Sequence, residues 1–191
     1  MTAFQSKPKP AKKKSVAQRL WFLHWLMAGF YLLLFVSGYY MMGLPRLSNG
    51  ESAYDFHKTL GVTVISLLLA RIFVLLFVLR HKYRHRQPQR QRKWVRTLAL
   101  HTALYFLMLL VPLSGYLAAN APGDHLIIFG TGIALPHLFA VNQQLVEFGG
   151  NAHFWLAYAF LAFIFLHMVD QKKYLQAQGR RLFKALLKHP H

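Results

Sequence analysis

Apolar residues in this chain come in long runs, without the strict alternation of a half-buried strand. No Asp, Glu, Lys or Arg occurs between Arg19 and Arg46. The same holds from Thr59 to Leu79 apart from Arg71, from Thr97 to Gly123, from His125 to Val146 and from Phe148 to Val169. A helix needs roughly 20 predominantly apolar residues to span a bilayer. Four segments qualify: WFLHWLMAGFYLLLFVSGYYMMGL, TLGVTVISLLLARIFVLLFVL, TLALHTALYFLMLLVPLSGYLAA and NAHFWLAYAFLAFIFLHMV. They predict an all-α integral membrane four-helix bundle, with spans at about 20–44, 57–79, 97–119 and 152–171.

The fifth run, HLIIFGTGIALPHLFAVNQQLV, is punctuated by Gly130, Gly132 and Pro136 and turns polar at Asn142, Gln143 and Gln144. It predicts a long loop between helices 3 and 4 that packs on the membrane face or over the bundle.

Charge then orients the bundle. The 191 residues hold 23 Lys+Arg against 5 Asp+Glu, a formal net charge of +18. Such a charge fits nucleic-acid binding in a soluble domain. Here 20 of the 23 basic residues fall in three segments: before span one, between spans two and three, and after span four. Lys and Arg concentrate on the cytoplasmic side. Four spans place all three segments there, whereas a fifth would strand the last one outside. Both termini are therefore expected in the cytoplasm, the loop between helices 3 and 4 in the periplasm, and no nucleic acid among the partners. The first span follows basic residues as a signal peptide would, but it is too long and lacks a small-residue cleavage site. Residues 1–15 read as a basic flexible cytoplasmic tail and 16–174 as the membrane domain. Residues 175–191 read as a basic amphipathic tail on anionic membrane lipids.

The chain has no cysteine, which excludes disulfides, thiolate metal sites, iron–sulfur clusters and haem attached through CxxCH. With thiolates unavailable, histidine is the expected ligand. Of 11 histidines, His24, His57, His101, His153 and His167 lie inside or at the edges of spans. A polar residue at that depth marks a functional site by default, although a single one can simply bond a neighbouring helix. His24, His101 and His167 each lie five residues from a basic residue at a cytoplasmic end, forming an inner layer; His57 and His153 form an outer one. His153 and His167 share one helix face, about 21 Å apart along the axis. The same step leads from His24 to Gly38, from His57 to Arg71 and from His101 to Gly115; Gly61 is one turn beyond His57. Glycines on these faces leave room for a flat bulky ligand or for close helix contact.

Paired histidines in two layers suit two b-type haems. A His-lined metal transporter is the competing class, but the four apolar segments contain no carboxylate to help it. Arg71, at inner-layer depth, suits a haem propionate; the alternative is a snorkelling side chain.

These pieces, taken in order, resemble the bacterial cytochrome b561 family, itself similar to cytochrome b subunits of nickel–iron hydrogenases. The matching segments are HWL at His24, HKTLG followed by Arg71, HTALYFLMLLVPLSGYL, FG…LP in the outer loop and HFWLAY…LH, over about residues 16 to 175. The resemblance implies a four-helix dihaem cytochrome of the inner membrane. It implies His24 with His167 as ligands of the inner haem iron, and His57 with His153 as ligands of the outer. It makes His101 a non-ligand that contacts a propionate or a quinone. The Lys-rich N-terminus and the longer basic C-terminal tail depart from the family pattern without touching these positions.

Electrons in such a chain pass to something lipid-soluble, small or proteinaceous, since no domain here holds a flavin or nicotinamide. The expected function is electron transfer between a periplasmic donor protein and the quinone pool. Lys93, Trp94, Arg96 and His101 are candidate contacts for a quinone headgroup such as that of ubiquinone, or else interfacial anchors. Some relatives of this kind are superoxide oxidases that pass an electron to ubiquinone. That alternative calls for an electropositive outer face. The outer face here carries Arg46 and Lys58 against Glu51, Asp55, Asp124 and Glu147, which weakens it.

Overall fold

The computed structural model describes residues 16–43, 50–82, 92–119, 126–135 and 142–187. Five helices run in the order α1 (Val16–Gly43), α2 (Gly50–Lys82), α3 (Arg92–Ala118), α4 (Gln143–Asp170) and α5 (Lys172–Leu187). Within the first four, Gln18–Gly43, Ala53–His81, Trp94–Ala118 and Gln143–Asp170 are long and apolar enough to cross a membrane. Among its described residues the fifth apolar run forms no further such helix, and its last residues begin α4. It holds a two-stranded antiparallel hairpin, β1 (Leu126–Ile127) and β2 (Ala134–Leu135). Gly130 and Gly132 turn its tip at φ +76° and +68°, where a side chain is disfavoured. Phe129 N–H donates to Thr59 Oγ1 at 2.8 Å, and the Phe129 ring meets Phe56 edge-on, so the hairpin sits on the N-terminal end of α2. The basic N-terminal tail, Arg46, Asp124 and most of the basic loop between α2 and α3 lie outside the described residues.

α4 begins nine residues before the expected start near 152. Asn142 caps it, accepting Gln144 N–H at 2.8 Å. The pair Gly149-Gly150 resembles a break, but Gly149 serves packing. A Cβ there would lie 2.6 Å from the Ala118 backbone nitrogen and 2.7 Å from Leu117 Cβ. α4 can approach α3 so closely only without that side chain.

Helices pack as two hairpins, α1 on α2 and α3 on α4, joined where α2 meets α3. No Cα of α1 lies within 8 Å of a Cα of α4 among the described residues. Rings bridge that gap instead: Tyr31 meets Phe160 edge-on at 4.9 Å, and Phe35 lies 6.0 Å from the same ring. Met27, Tyr31, Val64, Leu68, Leu104, Leu107 and Phe160 form a thin buried core at mid-height. Large apolar side chains such as Phe73 and Trp155 face outward, at 74% and 70% exposure, as helices surrounded by lipid require.

Pro112 sits inside α3 and has no N–H for the Met108 carbonyl. The Tyr31 hydroxyl donates to that carbonyl at 3.2 Å, closing the gap in the helix ladder from α1.

Candidate functional site

At the outer level, His57 of α2 and His153 of α4 bring their ring centres to 6.1 Å. His153 Nδ1 lies 2.8 Å from the Val111 carbonyl oxygen, which can only accept, so Nδ1 carries the proton. His57 Nδ1 lies 2.9 Å from Ser37 Oγ. The Ser37 hydroxyl already donates to the Leu34 carbonyl at 3.1 Å, so it accepts from His57. Both rings thus keep a proton on Nδ1 and leave Nε2 as a free lone pair, the arrangement of a metal-ligating imidazole with an oriented second nitrogen. Glycine is needed beside His153, and beside His57 it leaves a close contact. A Cβ on Gly115 would stand 2.9 Å from His153 Nδ1, and one on Gly38 would stand 3.4 Å from His57 Cε1. A Cβ on Gly61 would meet nothing within 4 Å, so that position is roomy without being a contact.

At the inner level, His24 of α1 and His167 of α4 have ring centres 6.2 Å apart. His101 of α3 lies nearer, 5.0 Å from His167, with its Nδ1–H donated to the Thr97 carbonyl at 2.7 Å. Arg71 donates through Nε to the Tyr105 hydroxyl at 2.8 Å and through Nη1 to His24 Nδ1 at 3.1 Å. Arginine cannot accept, so His24 holds its proton on Nε2 in this arrangement. His167 Nδ1 is buried with no hydrogen-bond partner.

A transition metal binds imidazole nitrogen at about 2.0–2.1 Å; with roughly 1.1 Å from nitrogen to ring centre, two opposed ligands stand about 6.3 Å apart. The 6.1 Å and 6.2 Å pairs fit one iron between each. The His101–His167 spacing of 5.0 Å is too short. The open seam between α1 and α4 and the close approaches at Gly38 and Gly115 fit a planar group. Among the described residues, no three His, Cys, Asp or Glu side chains converge to hold a bare ion.

Arg96, a candidate headgroup contact, pairs with Asp170 at 2.9 Å. A cleft of about 460 Å³ opens there, lined by Arg92, Arg96, Thr97 and Asp170. A second cleft of about 460 Å³ lies at the outer end among Leu33, Ser37, Tyr40, Phe56 and Phe129. The described part of the C-terminal tail, to Leu187, belongs to α5, which is tied to α1 by Trp21 Nε1 donating to the Tyr174 hydroxyl at 3.0 Å. Phe183 and Leu187 stand exposed among Arg180, Arg181 and Lys184, which suits a helix lying on a lipid surface.

Sequence reasoning missed Ser37, Val111, Tyr105 and Tyr31. One signal was available: Ser-Gly-Tyr occurs at Ser37 and again at Ser114, each 13 residues after a span histidine.

A family model described as prokaryotic cytochrome b561 matches residues 16–169. "Cytochrome b561 homolog 2" of Escherichia coli (strain K12) is 28% identical over 145 residues, covering 75% of this chain and 76% of that protein.

Proposed function

Because the chain belongs to the prokaryotic cytochrome b561 family and is thus a multi-pass bacterial membrane protein of b-type haem electron transfer, we propose that it holds two haems and carries electrons across the inner membrane. The proposed route joins a periplasmic donor to the quinone pool, with both termini in the cytoplasm. The observation that carries this reading is the repeated 6.1–6.2 Å spacing of two histidine pairs at two levels of one bundle.

In this proposal His57 and His153 hold the outer haem iron, and His24 and His167 hold the inner. Haem, when bound, supplies a one-electron iron couple whose potential the surroundings set. The chain's own residues do the rest. The Val111 carbonyl and Ser37 Oγ fix the outer imidazoles in the ligating tautomer. Gly38 and Gly115 keep those rings unobstructed. Tyr31, Phe35 and Phe160 fill the space between the levels and exclude water from it.

Arg71, held by Tyr105, is suited to pair with an inner propionate. For His24 to ligate through Nε2, its Nδ1 must take the proton, and Arg71 must then turn from that nitrogen toward an anion. A propionate is such an anion. The polar cleft at the start of α3, beside the Thr97 carbonyl that orients His101, suits a quinone headgroup such as that of ubiquinone.

The test is haem stoichiometry followed by donor kinetics. The purified protein is expected to hold two b haems per chain, and His153→Ala one. One haem in the unsubstituted protein, or full content in the variant, rejects the ligand assignment. Stopped-flow mixing then separates routes: reduction by a periplasmic redox protein supports a carrier. Fast reduction by superoxide with onward quinone reduction identifies a superoxide oxidase.

A further inference from the structure

The two histidine levels differ in what surrounds the second nitrogen of each ring. At the outer level both Nδ1–H groups meet an acceptor, Ser37 Oγ at 2.9 Å and the Val111 carbonyl at 2.8 Å. At the inner level neither ring has one. His167 Nδ1 is buried without a partner, and His24 Nδ1 faces the Arg71 guanidinium at 3.1 Å.

An internal repeat makes this contrast specific. Arg19, Leu23, His24, Ser37, Gly38 and Tyr39 on α1 recur at one constant offset as Arg96, Leu100, His101, Ser114, Gly115 and Tyr116 on α3. The hydrogen bonds recur with them: Ser37 Oγ donates to Leu34 O, and Ser114 Oγ donates to Val111 O, at the equivalent positions. His57 and Arg71 on α2 match His153 and His167 on α4 at a different offset, with the same separation within each helix. The outer pair is therefore built from two equivalent residues. At the inner level the position equivalent to His167 carries a permanent cation.

Both differences act in the same direction on a bound iron. An acceptor on Nδ1–H makes the imidazole a stronger donor to the metal and favours the oxidised state. Lack of an acceptor removes that effect. A nearby positive charge favours the state with one electron more. We infer that the inner haem has the higher reduction potential, so that Arg71 and the Ser37 and Val111 acceptors set the electron's direction from the outer face to the inner. With haems held by His57 and His153 and by His24 and His167, the internal step would be a one-electron exchange in which the outer group is oxidised by the electron that reduces the inner one. No bond or proton changes place. Arg71 is a positioning residue here: whether it faces His24 or a propionate, its removal takes a positive charge from the inner site.

This inference rests on the two-haem reading. Its test is a spectroelectrochemical titration of the haem-loaded protein. Two one-electron waves are expected. His57→Ala is expected to abolish the lower one and keep the higher. Arg71→Gln is expected to lower the higher wave alone, by about tenfold in electron partition, or about 59 mV for a one-electron couple. Arg71→Lys keeps the charge and is expected to hold the wave near its original position. Ser37→Ala is expected to raise the lower wave. If His57→Ala keeps the lower wave, or Arg71→Gln moves the lower wave or neither, the inference falls while the two-haem reading stands. Loss of both haems in His57→Ala, with full content in His153→Ala, overturns the ligand assignment and the inference together.

Discussion

The outer and inner histidine levels share a ring spacing and differ in nearly everything else. The outer rings are each pinned by an oxygen acceptor and walled by a glycine. The inner rings meet a cation, itself held by a tyrosine, and a third histidine. The lesson is that a pair of ligands at fixed separation defines what can bind, whereas the groups behind the ligands define what the bound group does.

Substitutions at the two outer glycines break this comparison most sharply. Gly115→Val places side-chain atoms where a Cβ alone would stand 2.9 Å from His153 Nδ1. Haem content is expected to fall from two per chain to one, measured by the pyridine haemochrome. Gly38→Ala meets His57 at 3.4 Å, a tight contact that a small shift relieves, and should retain both haems. Equal losses would mean that the outer walls are equivalent in tightness as well as in position.

Gly149→Leu tests how far the outer site depends on α3 and α4 lying close together. The new side chain collides with the Ala118 backbone. Overpacking of this kind costs about 1–3 kcal/mol, to be read as a fall in Tm in detergent. An unchanged Tm would show that α4 can slide outward freely.

Between the levels, Tyr31→Phe leaves the Met108 carbonyl without the hydroxyl that Pro112 makes necessary. The expected loss is about 1–3 kcal/mol. Combined with Pro112→Ala, which restores a backbone N–H, most of the loss should return. A double-mutant cycle showing plain additivity would refute the coupling. The smallest effect is expected at the inner rim. Arg96→Gln removes a pair with Asp170 in which the arginine side chain is 72% exposed, so stability should change by no more than about 1 kcal/mol.

Much of the architecture was legible because bilayer length and the absence of charge leave few solutions. The four spans, the non-spanning fifth run and the two histidine depths all follow from counting residues. The start of α4 was not legible, because Gly149 and Gly150 look the same in a turn and in a tight helix contact. The partners of the histidines were hidden for a different reason. Val111 and Met108 act through backbone carbonyls, which every residue carries, so no side-chain pattern marks them. Arg96 reads in the sequence as a headgroup contact or an interfacial anchor, and its pairing with Asp170 depends on where α4 ends in space.

The repeat has one more consequence, concerning what kind of molecule can build each level. A symmetric pair of identical two-helix hairpins can supply His57 and His153, because each half contributes the same residue. It cannot supply an arginine on one side and a histidine on the other. Halves that differ in sequence, such as the two joined in this polypeptide, can diverge at one position, and the proposed polarity depends on that divergence.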